Sequence, residues 1–218
     1  VGHVLVSHTH WAHIQGLPFF KPFLIAGNRF TLYGKGGANG PVRDLLRSQM
    51  STTYCPVPDY FEDDVGAWVG TCEIHKDSMP IGGVTVHSRE LNHVSGLVCL
   101  GYRLEGEGAA IAYLPDVEYL ADDHRKPALA LAHDADLLIH DAHFSDGEYE
   151  EHRGCGHSCA RHAVEIARDA RARHLLLYHH HPDHSDGDLA AIADRYQSES
   201  FQVETSREGA EFALGNAS

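Results

Sequence analysis

Short apolar runs, broken by glycine, proline and polar clusters, recur along the chain at the spacing of β-strands. They fall at Val4–Val6, Arg29–Tyr33, Ala67–Ile74, Val84–Val86, Leu97–Leu104, Ala109–Leu114, Leu137–Ile139, Leu175–Tyr178 and Phe201–Val203, lengths and boundaries that suit strands. Three other segments carry a helical pattern: Pro127–Asp134, Ser158–Arg171 and Asp188–Tyr196. The second is the strongest. Ala163, Val164, Ile166, Ala167 and Ala170 form one stripe, and Ser158 is placed to cap it. Glycines over 34–40 and around Gly82 predict loops. Many strands with a few interleaved helices predict an α/β layered sandwich. With no repeat, low-complexity tract or linker in sight, a single domain over residues 1–218 is expected.

Composition narrows the class. The chain has 218 residues, 43% hydrophobic and 22% charged, close to the globular average, which excludes wholesale disorder. No apolar run approaches the roughly 18 residues of a membrane span, so no membrane partner is expected. Against 31 acidic residues stand 17 basic ones, a net charge of −14 that repels polyanions at long range and disfavours a nucleic-acid partner. Five cysteines, an odd count without framework spacing, suit a reducing, cytoplasmic setting. Cys155 and Cys159 read as a tight turn and a helix start rather than a metal clip, because no second pair completes a site. The unusual number is 19 histidines.

Those histidines gather after apolar runs. The chain opens VGHVLVSHTHWAHIQGLPFF. On extended backbone, residues two apart project to one side, so His8 and His10 can grip one cation while His13, past the turn, addresses a neighbouring point. Imidazoles in that setting suit Zn²⁺, Mn²⁺ or Fe. ELNHVSG places His93 after a strand, YLPDVEYL places Asp116 after another, and LLLYHHHPDHSD places His179, His180 and His181 after a third. Open α/β sheets collect ligands at the carboxyl ends of their strands.

The order HTHWAH, His93, Asp116, HHHP resembles the metallo-β-lactamase-fold hydrolases, whose first motif is HxHxDH. VSHTHWAHIQGLPFF, TYCPVP, YLPDVEY, LLIHDAHFSDGEY, GCGHS and LLLYHHHPDHSD are similar to the phosphodiesterase and ribonuclease Z branch of that superfamily, over nearly the whole chain. The resemblance implies an αββα sandwich with mixed sheets and a centre of two divalent metal ions, zinc first, manganese or iron next. His8, His10 and His93 would hold one cation, His13 and His179 the other, and Asp116 would bridge them. His180 or His181 in place of His179 stays open. It also implies that His157, in GCGHS, donates a proton or hydrogen bond to a phosphoryl or leaving oxygen.

Two features depart from the pattern. Ala12 stands where HxHxDH has its aspartate, which implies impaired metal binding and catalysis, through engineered inactivation or a natural pseudo-enzyme. The family's first strands, before the HTH segment, have no counterpart. Their absence would expose a sheet edge that another segment, or a partner in a homodimer, would cover. Other residues have plainer expectations. The amides of 154–158 could face a phosphate at a helix N-terminus. Asp141 and His143 would orient ligands, His140 would be packed, and Asp186 would cap the last helix. Arg161, Arg168, Arg171 and Arg173 would form a solvated face paired with acids. Trp11 and Phe19 would belong to the core rather than stack on a base.

The leading expectation is therefore phosphodiester hydrolysis of a small substrate, a cyclic nucleotide or cyclic phosphate, by hydroxide between two metals. The alternatives are a tRNA 3′-processing endonuclease, which the missing basic arm and the net charge disfavour, and a non-catalytic metal- or nucleotide-binding module with Ala12 as its native residue. Lactone or β-lactam hydrolysis on the same metal core is disfavoured by the wording around GCGHS and HHHP.

Overall fold

A computed structural model describes residues 1–62, 66–94, 96–197 and 200–214. They group into two compact units, Val1–Lys76 with Gly96–Val98, and Asp77–Ser95 with Cys99–Ser218.

In the first unit, β1 (Gly2–Leu5), β2 (Arg29–Gly34) and β3 (Trp68–Glu73) form a parallel three-stranded sheet in that order. Between β1 and β2 lie a short helix α1 (Trp11–Ile14) and two 3₁₀ turns, Leu17–Phe19 and Lys21–Leu24. Helix α2 (Val42–Ser48) follows β2 and was not anticipated, since its apolar positions are few and follow the glycine-rich stretch. Val6, Ile14, Phe23, Leu32, Leu46, Tyr60 and Val69 make its core.

The second unit holds a mixed sheet of seven strands: β4 (Ser78–Ile81), β5 (Val84–Leu91), β6 (Cys99–Gly106), β7 (Ala109–Leu114), β8 (Leu137–Asp141), β9 (His174–Tyr178) and β10 (Gln202–Thr205), in the order β10-β9-β8-β7-β6-β5-β4. Strand β4 was missed: Pro80 and the short Ser-Met-Pro-Ile run hide it, but Gly82 and Gly83, with φ of 56° and 93°, close a hairpin onto β5. The antiparallel β4–β5, β5–β6 and β6–β7 pairs and the parallel β7–β8–β9–β10 pairs leave only β4 and β6 reversed. Strands β5, β7, β8 and β9 therefore all end at one edge of the sheet.

Helices α3 (Asp122–Ala132) and α5 (Ala160–Asp169) bury their apolar faces with Leu114, Leu138, Leu175 and Leu177; α4 (Tyr149–His152) and α6 (Asp186–Asp194) are shorter. The stripe Ala163, Val164, Ile166, Ala167 is buried as its period requires. Three boundaries are corrected. Helix α3 begins before Pro127, which lies inside it, because Ala128, Leu131 and Ala132 are held in the core. Ser158 does not cap α5; Cys159 occupies that place, and the Ser158 hydroxyl donates instead to Val117 O at 2.6 Å. Asp186 does not cap α6 either: Ser185 does, in a reciprocal capping box with Asp188.

Candidate metal centre

In the first unit, Val6 extends the line of β1 by donating to Tyr33 O at 2.8 Å, and the chain then turns into α1, where His13 N bonds His10 O at 3.0 Å. That turn packs two imidazoles against His8, with ring centroids 4.8 Å away for His10 and 4.2 Å for His13. His8 is buried, and its Nδ1 lies 3.1 Å from Ser7 Oγ, which fixes the ring. Ala12 is exposed on α1 and brings no donor. Trp11 and Phe19 are 58% and 60% exposed, not core residues as expected, because the one-turn helix and the 3₁₀ turn bury only Ile14 and Pro18.

In the second unit, the shared edge gathers the ends of four strands. His93 follows β5, Asp116 follows β7, Asp141 closes β8 with His143 just beyond, and His179 follows β9. Asp116 is 1% exposed. Its Oδ2 is 3.7 Å from His93 Nε2 and its Oδ1 is 3.9 Å from His179 Nε2. His93 donates from Nδ1 to Gly156 O at 2.7 Å, which leaves Nε2 as the lone-pair atom facing the carboxylate. His179 has φ of 60°, a left-handed conformation costly for an imidazole-bearing residue, and His143 Nδ1 bonds its carbonyl at 2.7 Å. His180 and His181 turn elsewhere: His180 Nε2 lies 3.4 Å from Ser206 Oγ, and His181 packs edge-on against His143.

Asp141 organises the edge. Fully buried, it takes Val117 N at 3.1 Å, Ser158 N at 3.2 Å and His157 Nδ1 at 3.1 Å on Oδ2, and His143 N at 3.1 Å on Oδ1, with His179 Nδ1 at 3.7 Å. Burial pushes its carboxyl pKa up, but His157 and His179 outweigh that and hold it below the usual range. His179 is opposed in the same way: burial lowers its pKa, while Asp141 and Asp116 raise it to a net increase. His143, His157 and His179 stack, with centroid separations of 4.6, 4.9 and 5.0 Å.

The amides of the 154–158 loop do not await a phosphate. Glu118, wholly buried, accepts from Gly154 N at 2.6 Å, Gly156 N at 2.8 Å and the Tyr149 hydroxyl at 3.0 Å, and Asn92 Nδ2 bonds its carbonyl at 2.8 Å. A buried carboxylate must be satisfied this fully to persist. Sequence reading missed Glu118. Its only signal was a charged residue between Val117 and Tyr119 in a short, otherwise largely apolar stretch. Gly156 has φ of 93°, and a Cβ there would stand 2.5 Å from His93 Nδ1. Gly156→Ala is therefore expected to cost about 1–3 kcal/mol and to release His93 from its carbonyl. A lowered urea midpoint together with weaker metal binding would show it, whereas unchanged values would refute the fit.

His140 is packed, as expected, with Nε2 on the Tyr119 hydroxyl and Nδ1 on Asp141 O, both at 2.7 Å. Burial pushes its pKa down to about 4 from the ordinary 6.5. Below pH ~6.5 the unfolded chain takes up a proton that the folded chain refuses. Stability is thus expected to fall between pH ~6.5 and ~4, on the order of 3 kcal/mol from this residue, and to level off below that. His143, His162, His174 and His180, also lowered chiefly by burial, act in the same direction, and His179 acts against them. Urea denaturation across that range checks it, since His140→Gln must flatten the slope.

The remaining expectations are settled locally. Arg171 pairs with Asp134 and Arg173 with Asp136, an exposed acid-paired face. Cys155 is exposed in a turn and Cys159 is buried at the start of α5, both reduced. No helix among the described residues is long and apolar enough to cross a membrane.

The beta-lactamase superfamily domain profile matches residues 1–180. The chain belongs to the beta-lactamase superfamily. Within the superfamily its similar relatives include ribonuclease Z of Haloferax volcanii, 26% identical over 82% of this chain and 68% of that protein, and of Streptococcus suis, 25% identical over 88% and 75%. Ribonuclease Z of Myxococcus xanthus is 52% identical over 54 residues, 24% of this chain and 18% of that protein. Among solved structures, the metallo-beta-lactamase fold protein YhfI of Bacillus subtilis superposes with a TM-score of 0.70 and 20% identity, covering 96% of this chain and 77% of that one. Human tRNase Z, short form, gives 0.69 and 21%, covering 98% and 79%. The expected α/β fold with mixed sheets is the fold of these metallo-beta-lactamase-fold proteins, a family of hydrolases that in general binds divalent metals.

The donor set suits such an ion. His93 and His179 approach opposite oxygens of Asp116 at separations longer than a hydrogen bond. Such a separation leaves room for a cation ~2.0–2.2 Å from an imidazole nitrogen and from the carboxylate oxygen facing it. Three clustered imidazoles in the first unit offer the same chemistry.

Proposed function

We propose that this chain is a metal-dependent phosphodiester hydrolase acting on RNA of the ribonuclease Z kind. The observation that carries the chemistry is the His157–Asp141 pair, set on the sheet edge that also presents His93, Asp116 and His179. The similarity to ribonuclease Z across most of the chain moves the substrate from the small phosphodiester first expected toward RNA. The small substrate stays as the second reading, favoured by the net charge of −14, which opposes a polyanion.

On this reading His8, His10 and His93 would hold one divalent cation, His13 and His179 would hold a second, and Asp116 would serve both. The nitrogen and oxygen donors suit zinc first. Such ions, when bound, lower the pKa of water and draw charge from phosphoryl oxygens. The side chains do the rest. Asp141 stays ionised and accepts a hydrogen bond from His157 Nδ1–H, so Nε2 is the atom offered to substrate, positioned to give a proton to the leaving oxygen. His143 holds the His179 carbonyl, and Glu118 holds the loop that carries His157.

The test is a substrate panel for the Ala12→Asp variant: precursor RNA with a 3′ trailer, a 2′,3′-cyclic nucleotide and an aryl phosphodiester. Cleavage of the RNA at a far higher kcat/KM than the small esters supports the first reading. The reverse ranking supports the second, and no hydrolysis of any of them refutes both.

A further inference from the structure

Beside the histidine turn of the first unit lies a cleft of about 470 Å³ whose walls include Thr9, Trp11, Ile14, Ser48, Gln49 and Tyr54. That volume is in the range of small-ligand sites. Thr9, Trp11 and Ile14 interleave with His8, His10 and His13 along one stretch, so whatever occupies the cleft is held by the loop that carries the imidazoles. Two aromatic rings stand exposed there, Trp11 at 58% and Tyr54 at 86%. Exposed apolar residues that share one concavity, rather than lying scattered, are what marks a ligand-binding groove, and these two rings line the same cleft.

Gln49 adds the polar part. It is 8% exposed, and neither Nε2 nor Oε1 has a hydrogen-bond partner among the described residues; the neighbouring Tyr60 hydroxyl leans on it without reaching bonding geometry. An amide left so is costly, and it presents a donor and an acceptor side by side, the pattern that pairs with the edge of a nucleobase. Reaching it takes a rotamer change in the cleft wall, a fast motion for exposed side chains. Among the described residues no lysine or arginine lines the cleft, so it suits an uncharged ring rather than a phosphate.

We propose that this cleft binds the planar base of a nucleotide, stacked on Trp11 and Tyr54 and read by Gln49, on the loop that also carries the histidines. The assignment rests on the phosphodiester reading, and it names the recognition element of that site. The base could belong to a free nucleotide or to an RNA end.

Trp11 is one of two tryptophans, so Trp68→Phe leaves it as the sole reporter. Titration of that variant with AMP is expected to quench Trp11 fluorescence saturably, whereas ribose 5-phosphate, which lacks the base, is expected to leave it unchanged. By calorimetry, Trp11→Ala and Gln49→Leu are each expected to weaken AMP binding roughly 10-fold, with melting temperature unchanged for the exposed Trp11. A short RNA binding more tightly than AMP points to an RNA end, and equal affinity points to a free nucleotide; both outcomes uphold the cleft. Equal binding of AMP and ribose 5-phosphate, or intact affinity in Trp11→Ala, overturns it. Because these readouts need no turnover, base binding without hydrolysis in the Ala12→Asp variant separates the failure of the enzymatic reading from that of the cleft.

Discussion

Ala12→Asp is expected to raise bound divalent metal from one to two ions per chain and phosphodiesterase activity by roughly 10²-fold or more. The magnitude follows from comparison: losing a residue that merely orients a metal ligand costs ~10–100-fold, and a missing ligand costs more. Position 12 lies between His10 and His13 on α1, where the methyl group of alanine can neither coordinate nor accept a hydrogen bond. An aspartate there adds a carboxylate to a cluster of three imidazoles and favours the negative charge near the start of a helix. Elemental analysis of the two proteins side by side decides it. If both carry the same metal content and neither hydrolyses a phosphodiester, the assignment of this loop to a metal centre fails.

His157→Ala, made in the Ala12→Asp background, is expected to lower kcat by about 10²–10⁴ with little change in KM or in bound metal. His157 Nδ1 is committed to Asp141, so the ring contributes through Nε2 alone. Removing it leaves Asp141 with the amides of Val117, His143 and Ser158, so the fold is expected to survive. Two companion observations separate proton donation from scaffolding. A substrate with a leaving group that needs no proton should lose far less rate, and the alkaline limb of kcat, where a general acid is deprotonated, should disappear. Equal losses on good and poor leaving groups would make His157 structural instead.

Much of the fold was legible because period and burial coincide. The α5 stripe and the strands β2, β6, β7 and β9 have apolar patterns strong enough to announce themselves, and their buried leucines and alanines confirm why. Weakly patterned elements escaped: β4, with a proline and a hairpin of two glycines, and α2, with few apolar residues. Caps were misplaced by one position because Ser158 and Ser185 compete with neighbours for the same role, and only the surrounding hydrogen bonds choose between them.

The sequence by itself determined the candidate donors. Histidines and carboxylates placed straight after apolar strands can be read from order alone, since a strand end is where a parallel sheet presents its side chains. Tertiary structure decided which of those groups act on one another. It showed that Asp141 binds three loops together, that Glu118 rather than a phosphate takes the 154 and 156 amides, and that Trp11 stands in water. The reason is sequence distance: Glu118 and Gly156, or Asp141 and His179, meet only after the crossovers of the sheet are made, and burial then sets the cost of every bond left unmade.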